Sequence, residues 1–423
     1  MYITLNNLQN NTIHIGKTIS VKGRIHATRK MKNYIFIDLL DKGKLLQLIL
    51  INSNLTSSLT CGDLIQVTGE LNRTKTGLLS LFCHNNEIKI ITKWQNSISY
   101  KNFNESHNTY LKNNFTNLEI SFKIYNLILA FLTSKGFTNT LTPILGEKFN
   151  GGRSFPVYSK YLNNKIGFNR TTFEERMQAL IAIGFESVFQ IGSVFRSSNE
   201  MFFIEGYSVN LNFNSGIDLL KEMCSYIVIE MELNNFELNE RYLFNLKNKL
   251  WNNYSYLEIV NNYFNDDIGI ILTNYDDFYN YLIKKEFIVD AYNKKVSPET
   301  LADLVIDKIM NLVDIPEIIT HYPIWSSPLY DIDQNSNFLL RAKIKLPNQK
   351  LGFDLGLQEN DYKKFVKREL NQKIYDSEKS YQSNLSQLNK VISSGVYKTF
   401  GFGLNISRFI SLYSENPSFD PLH

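Results

Sequence analysis

Short apolar runs punctuated by turn residues fill the first quarter of the chain: Thr18–Ile25, Tyr34–Leu40, Leu45–Ile51, Leu64–Glu70, Leu78–Phe82 and Ile88–Ile91. Most are rich in β-branched or aromatic residues, and Asp41–Lys44 and Thr76-Gly77 are turn signals, so each run reads as a strand. Strands this short and this closely spaced predict a small barrel, with the five-stranded OB-fold as the natural candidate. Residues 93–115 are polar and aperiodic and read as a linker. From Thr116 to Lys135 apolar residues recur at helical spacing, and Gly136 supplies a C-cap.

An extended stretch to Pro143 follows, then a helix at Arg176–Ile183 and strands at Ser187–Ile191, Val194–Arg196 and Ile204–Phe213. Residues 217–260 read as largely helical, and the Asn/Asp/Tyr-rich stretch 261–298 as an irregular insertion. A helix at Thr300–Val313, a strand at Ile318–Tyr322 and a hairpin of Phe338–Lys345 with Leu351–Leu357 come next. A long charged helix over Asn360–Asn389, with a solvated face at Tyr362–Glu369, precedes a closing strand and helix at Phe400–Tyr413. Strands without strict βαβ alternation predict an α+β protein rather than a Rossmann sheet. The expected domains are a barrel over 1–95, a linker over 96–115 and an antiparallel sheet flanked by helices over 116–423.

Composition narrows the class without naming the function. The chain has 423 residues, 43% hydrophobic and 20% charged, which are globular proportions for two domains. Its formal net charge of +4 is compatible with nucleic-acid binding without requiring it. Three widely spaced cysteines, Cys61, Cys83 and Cys224, build neither a disulfide framework nor a zinc spacing, so a reducing compartment is expected. No secretory pattern opens the sequence and no apolar run approaches a membrane span, so a soluble cytoplasmic protein is expected.

Three segments carry the chemistry: Gly136–Pro143 (GFTNTLTP), Val188–Arg196 (VFQIGSVFR) leading to Phe203–Phe213 (FIEGYSVNLNF), and Gly401–Arg408 (GFGLNISR). In this order and at these separations they resemble motifs 1, 2 and 3 of class II aminoacyl-tRNA synthetases. The barrel segments VKGRI, FIDL, LQL, GDLIQVTG and TKTG, with NGG at 150–152, GFESVF at 184–189 and HYPIWSSPL at 321–329, are similar to the lysyl-tRNA synthetase branch. Asparaginyl- and aspartyl-tRNA synthetases share that architecture.

The resemblance implies ATP-dependent activation of an amino acid as an adenylate and its transfer to tRNA. Arg196 would grip the α-phosphate, where a guanidinium that is always charged and bonds bidentately suits the developing negative charge. Arg408 would pack on ATP, Glu205 would contact it, and Gly401 and Gly403 would bring the backbone close to it. Glu174, Gly151 and Gly152 would hold the amino acid, with Asn210 and Asn212 around its side chain. Asp354 would bind magnesium. In the barrel, Arg24, Phe36 and Gln47 would read the anticodon. The motif 1 segment, residues 117–143, would build a homodimer.

The pattern departs from the family inside the pocket. Motif 2 reads FRSS where an acid is expected, and Met201–Phe203 stand where the family has outer-phosphate contacts. Gly206 replaces an aromatic beneath adenine, Gly356 and Leu357 replace an Asn-Asp pair, and Asn405 and Ser407 replace a glycine and an acid. Asn210 and Asn212 stand where lysine enzymes place a glutamate and a tyrosine, which favours a neutral polar substrate over lysine because a buried ammonium needs negative partners. Two alternatives follow: a paralogue that ligates an amino acid to another acceptor, and an inactive binder of tRNA or a ligand.

Overall fold

The computed structural model describes residues 5, 8, 15–31, 34–41, 44–51, 59–84, 87–95, 109–146, 156–158, 166–196, 199–236, 240–288, 296–310, 314–347, 351–373 and 385–413. The chain divides into two compact units, Met1–Glu119 and Ile120–His423.

The first unit is a barrel. Strand β1 (Thr18–Met31) leads to β2 (Tyr34–Asp41), β3 (Lys44–Ile51), β4 (Leu64–Arg73), β5 (Leu79–Cys83) and β6 (Ile88–Thr92). Their order is β1-β2-β3-β5-β4-β6, and β1 also pairs with β4, so five strands close a ring and β6 adds to β4. Alternation decides which side chains fill it. Val21, Ile25, Ile37, Leu39, Leu48, Val67 and Leu81 are buried in one cluster, each contributing about 1.5–3 kcal/mol. The expected five-stranded OB-fold is observed.

Helix α1 (Thr109–Ser134) begins inside the stretch expected as linker and contains the boundary between the units at Glu119 and Ile120; residues 96–108 lie outside the described residues. Next come β7 (Thr138–Asn139), β8 (Leu145–Gly146), β9 (Pro156–Tyr158), β10 (Ile166–Asn169), α2 (Glu174–Ala182) and a hairpin of β11 (Ser187–Arg196) with β12 (Asn199–Ser208). Helices α3 (Phe213–Leu233) and α4 (Glu240–Lys247), strand β13 (Asn252–Ser255), and helices α5 (Tyr256–Phe264), α6 (Tyr275–Lys284) and α7 (Pro298–Ile309) follow. The chain then forms β14 (Glu317–Tyr322), β15 (Leu339–Lys345), β16 (Leu351–Leu357), α8 (Tyr362–Lys373), α9 (Leu385–Ser393), β17 (Phe400–Asn405) and α10 (Ile406–Ile410).

Eight strands form one sheet in the order β13-β14-β15-β16-β17-β12-β11-β7, antiparallel except at its two ends. The α+β class and the predicted β15–β16 hairpin stand. Residues 261–298 differ from expectation in being helical at 261–264 and 275–284. Tyr275 and Tyr279 are core, packing with Phe278, Leu282, Leu301 and Val305. Polar residues of this stretch are caps and turns, since Asn274 Oδ1 accepts from the backbone N–H of Asp276 and Asp277 and Asn265 ends α5 in the left-handed region. The charged helix over 360–389 is helical at α8 and α9, with 374–384 outside the described residues. Its expected solvated face is in part a buried seam, because Phe365 and Glu369 are buried and Arg368 donates to Glu359.

Candidate active site

The central strands converge on one cavity of about 480 Å³. Arg196 ends β11, Phe203, Glu205 and Tyr207 lie on β12, Gly401 and Gly403 on β17, Asp354 on β16, Glu174 starts α2, and Arg408 sits on α10; all line it. The strands that carry most of them, β11, β12, β17 and β16, are direct neighbours. Seven sequence-predicted positions, Arg196, Glu205, Gly401, Gly403, Arg408, Glu174 and Asp354, line the cavity together.

Arg196 is anchored at its base and stacked along its side. Its Nε donates to the carbonyl of Thr171 at 2.9 Å, and its guanidinium lies 4.8 Å from the Phe203 ring centre. Asn405 caps α10 by accepting from the backbone N–H of Ser407 at 3.0 Å, which sets the turn carrying Arg408. Burial lowers the Arg408 pKa, opposed by the attraction of Asp307 and Asp303.

Carboxylates crowd the same space. Glu205 accepts from Thr172 Oγ1 at 2.8 Å and from the backbone N–H of Phe173 at 2.9 Å. Burial still raises its pKa, against the pull of Arg196. Glu174 is pushed up to about 8 by burial, then by Glu205, Asp354 and Glu299, with Arg196 pulling the other way. Against an ordinary carboxyl near 4.5, folding therefore disfavours the ionised form, and stability falls as pH rises from 4.5 through about 8. An ammonium group placed here would relieve that repulsion.

Asp354 is engaged by the protein itself. Arg341 Nε donates to its Oδ1 at 2.9 Å and Arg341 Nη2 to its Oδ2 at 2.6 Å. Tyr330 donates to Oδ1 at 2.9 Å, and Lys343 stands 3.6 Å away. Burial opposes ionisation, and Arg341 and Lys343 outweigh it, holding this carboxyl well below its usual range. Among the described residues no group of three or more His, Cys, Asp or Glu side chains could hold a metal ion. The side chains around Asp354 therefore do not fit a resident magnesium.

Two departures from the family pattern have a packing reason. A Cβ on Gly206 would lie 2.4 Å from the Phe402 ring, so Phe402 occupies the space of the expected aromatic. A Cβ on Gly356 would lie 2.6 Å from Tyr330 Cδ1, so the glycine admits the tyrosine that bonds Asp354.

Asn210 and Asn212 do not reach this cavity. Asn210 donates to Glu186 at 3.1 Å, and Asn212 caps α3 by accepting from the backbone N–H of Ser215. The sequence argument for a neutral substrate rested on these two and loses its footing. Gly151 and Gly152 lie outside the described residues. In the barrel, Arg24, Phe36 and Gln47 share the outward face, because Arg24 pairs with Leu40 and Asp38 with Gln47 while Ile35, Ile37 and Leu39 point inward. Arg24 donates to the Gly62 carbonyl at 2.5 Å and lies 5.9 Å from the Trp94 ring centre. Gln47 accepts from Ser80 at 3.2 Å.

Sequence reasoning missed Arg341, Lys343, Tyr330, Glu299, Asp303 and Phe402. The alternation of Arg341, Lys343 and Lys345 with apolar residues on β15 carried a signal, since period 2 places three cations on one face. All three are buried.

Residues 103–420 match the family described as tRNA synthetases class II (D, K and N), and residues 19–91 match the OB-fold nucleic acid binding domain. The lysine–tRNA ligase of Blochmanniella floridana is 26% identical, with 95% of this chain and 89% of that protein covered. That of Helicobacter hepaticus is 24% identical, covering 94% and 80%. That of Dehalococcoides mccartyi is 28% identical over 52% of this chain, and the match spans 49% of that protein's length. Among the described residues, no helix is long and apolar enough to cross a membrane. With the family matched over most of the chain and its motif residues lining one cavity, the chain belongs to the class II aminoacyl-tRNA synthetases of the D, K and N group.

Proposed function

We propose that the protein binds ATP, activates an amino acid as the aminoacyl-adenylate and transfers the acyl group to tRNA. The observation that carries this is the convergence of Arg196, Arg408, Glu174 and Glu205 on one cavity of about 480 Å³. The amino-acid carboxylate attacks the α-phosphorus in line, a new P–O bond forms, and pyrophosphate leaves with its bonding pair. Arg196, held by the Thr171 carbonyl and Phe203, meets the charge that builds on the phosphorus oxygens. Glu174 receives the α-ammonium, and the aromatic faces of Phe203 and Phe402 border the nucleotide. No enzyme nucleophile is required, because orientation and charge stabilisation supply the rate. The motif 1 segment supports a homodimer, with Phe122 and Leu141 exposed along it.

ATP–pyrophosphate exchange across a panel of amino acids tests the reaction and assigns its substrate. Exchange dependent on a single amino acid establishes adenylation; none with any amino acid, in folded protein, favours a non-catalytic binder. The Glu174 environment adds a pH signature. The amino-acid KM falls as pH rises toward 8, since only the ionised carboxylate pairs with the ammonium, and Glu174→Gln flattens that slope. An unchanged slope in the variant would remove Glu174 from this role.

The outward Arg24–Phe36–Gln47 face supports tRNA as acceptor. Arg24→Ala should raise the KM for tRNA about tenfold or more while leaving pyrophosphate exchange unaltered. Unchanged product formation would point instead to a different acceptor.

A further inference from the structure

The charge arrangement at the Asp354 end of the cavity differs from that of a metal site. A divalent ion such as magnesium takes six oxygens in near-octahedral geometry and needs free carboxylate lone pairs. Both Asp354 oxygens already accept from Arg341, at 2.9 and 2.6 Å, in the bidentate fork a guanidinium favours. Each neighbouring acid is also tied to one of these cations through one of its oxygens. Glu299 accepts from Arg341 Nη2 at 2.8 Å, and Asp303 accepts from Lys343 Nζ at 2.5 Å. Lys343 is the residue directly opposite Asp354 in the β15–β16 register and lines the cavity. Two fixed cations within 4 Å of one carboxylate repel a third positive charge.

Arg341 cannot swing away to make room. It is fully buried, lies 5.1 Å from the ring centres of both Tyr322 and Tyr330, and Tyr330 itself donates to Asp354. We propose that Arg341 and Lys343 are a tethered counter-ion: they supply at this carboxylate the positive charge that a divalent ion supplies in a metal-dependent site, and the protein recruits no metal at Asp354. Lys343, the one of the pair lining the cavity, then presents its amino group toward the polyphosphate. Any magnesium taking part arrives with ATP as part of the substrate. The inference deepens the nucleotide reading of the cavity, but its test needs no nucleotide, so the two can fail separately.

The test is a titration of the nucleotide-free full chain with Mn²⁺, read by the loss of the free-ion paramagnetic resonance signal. Wild type and Asp354→Asn should bind the same number of Mn²⁺ equivalents. If the single variant does not fold, the double variant Arg341→Met/Asp354→Asn, which removes both charges, makes the same comparison. Arg341→Gln frees Asp354 and Glu299 and should gain one equivalent. An equivalent present in wild type and lost with Asp354 overturns the proposal, as does a folded Arg341→Gln that binds no more Mn²⁺ than wild type.

Discussion

Replacing Arg196 by alanine should reduce amino-acid-dependent ATP–pyrophosphate exchange by about 10²–10³-fold, with little change in thermal stability. The magnitude follows from placing one charge-assisted donor where negative charge grows in a partly enclosed site. Stability should hold because Arg196 is only half-buried and its one described structural bond is to the Thr171 carbonyl. Arg196→Lys separates charge from geometry. Lysine keeps the positive charge but cannot reproduce the planar fork or its stacking on Phe203, so it should recover only a small part of the loss. Exchange in Arg196→Ala within a few-fold of wild type would mean that another cation of the cavity, Arg408 or Lys343, carries the step.

Asp354→Asn should destabilise the protein by about 3–5 kcal/mol, read as a shift of the urea midpoint at unchanged slope. The lower end applies, because the Asp354 side chain is 33% exposed while that of Arg341 is 0% exposed. Removing the acid leaves a fully buried guanidinium with Glu299 as its remaining carboxylate. The companion Arg341→Met/Asp354→Asn should regain most of the loss, since it removes the stranded charge together with its partner. A single variant as stable as wild type would show that water or Glu299 compensates Arg341.

How much of this could be read beforehand differs from element to element. The barrel is legible because each strand is bounded by its own turn residues and fills one interior, so local pattern and global fold agree. The motif residues of the cavity are legible because short segments hold them at fixed places on adjoining strands. Stretch 261–298 misleads because asparagine and aspartate can cap helices as readily as they can make loops, and only partners such as Leu301 and Val305 show Tyr275 and Tyr279 to be core. Asn210 and Asn212 mislead for a related reason: they sit two and four positions past Ser208, where the strand partnering ends, so the chain has already turned from the cavity into α3. The clamp on Asp354 joins residues from β15, α7 and the segment before β15, and no single stretch of sequence contains it.

The order of the large sheet also bears on how the protein is made. Strand β17, residues 400–405, lies between β16 and β12 and bonds to both, yet it is the last strand along the chain among the described residues. Until the ribosome has delivered it, β12-β11-β7 and β13-β14-β15-β16 are two separate half-sheets, each with a bare edge of unpaired N–H and C=O groups. A chain stalled or cut shortly before residue 400 thus keeps two sticky edges and lacks the strand that joins them. Release of such fragments invites intermolecular strand pairing, and holdase chaperones have most to protect in the final moments of synthesis.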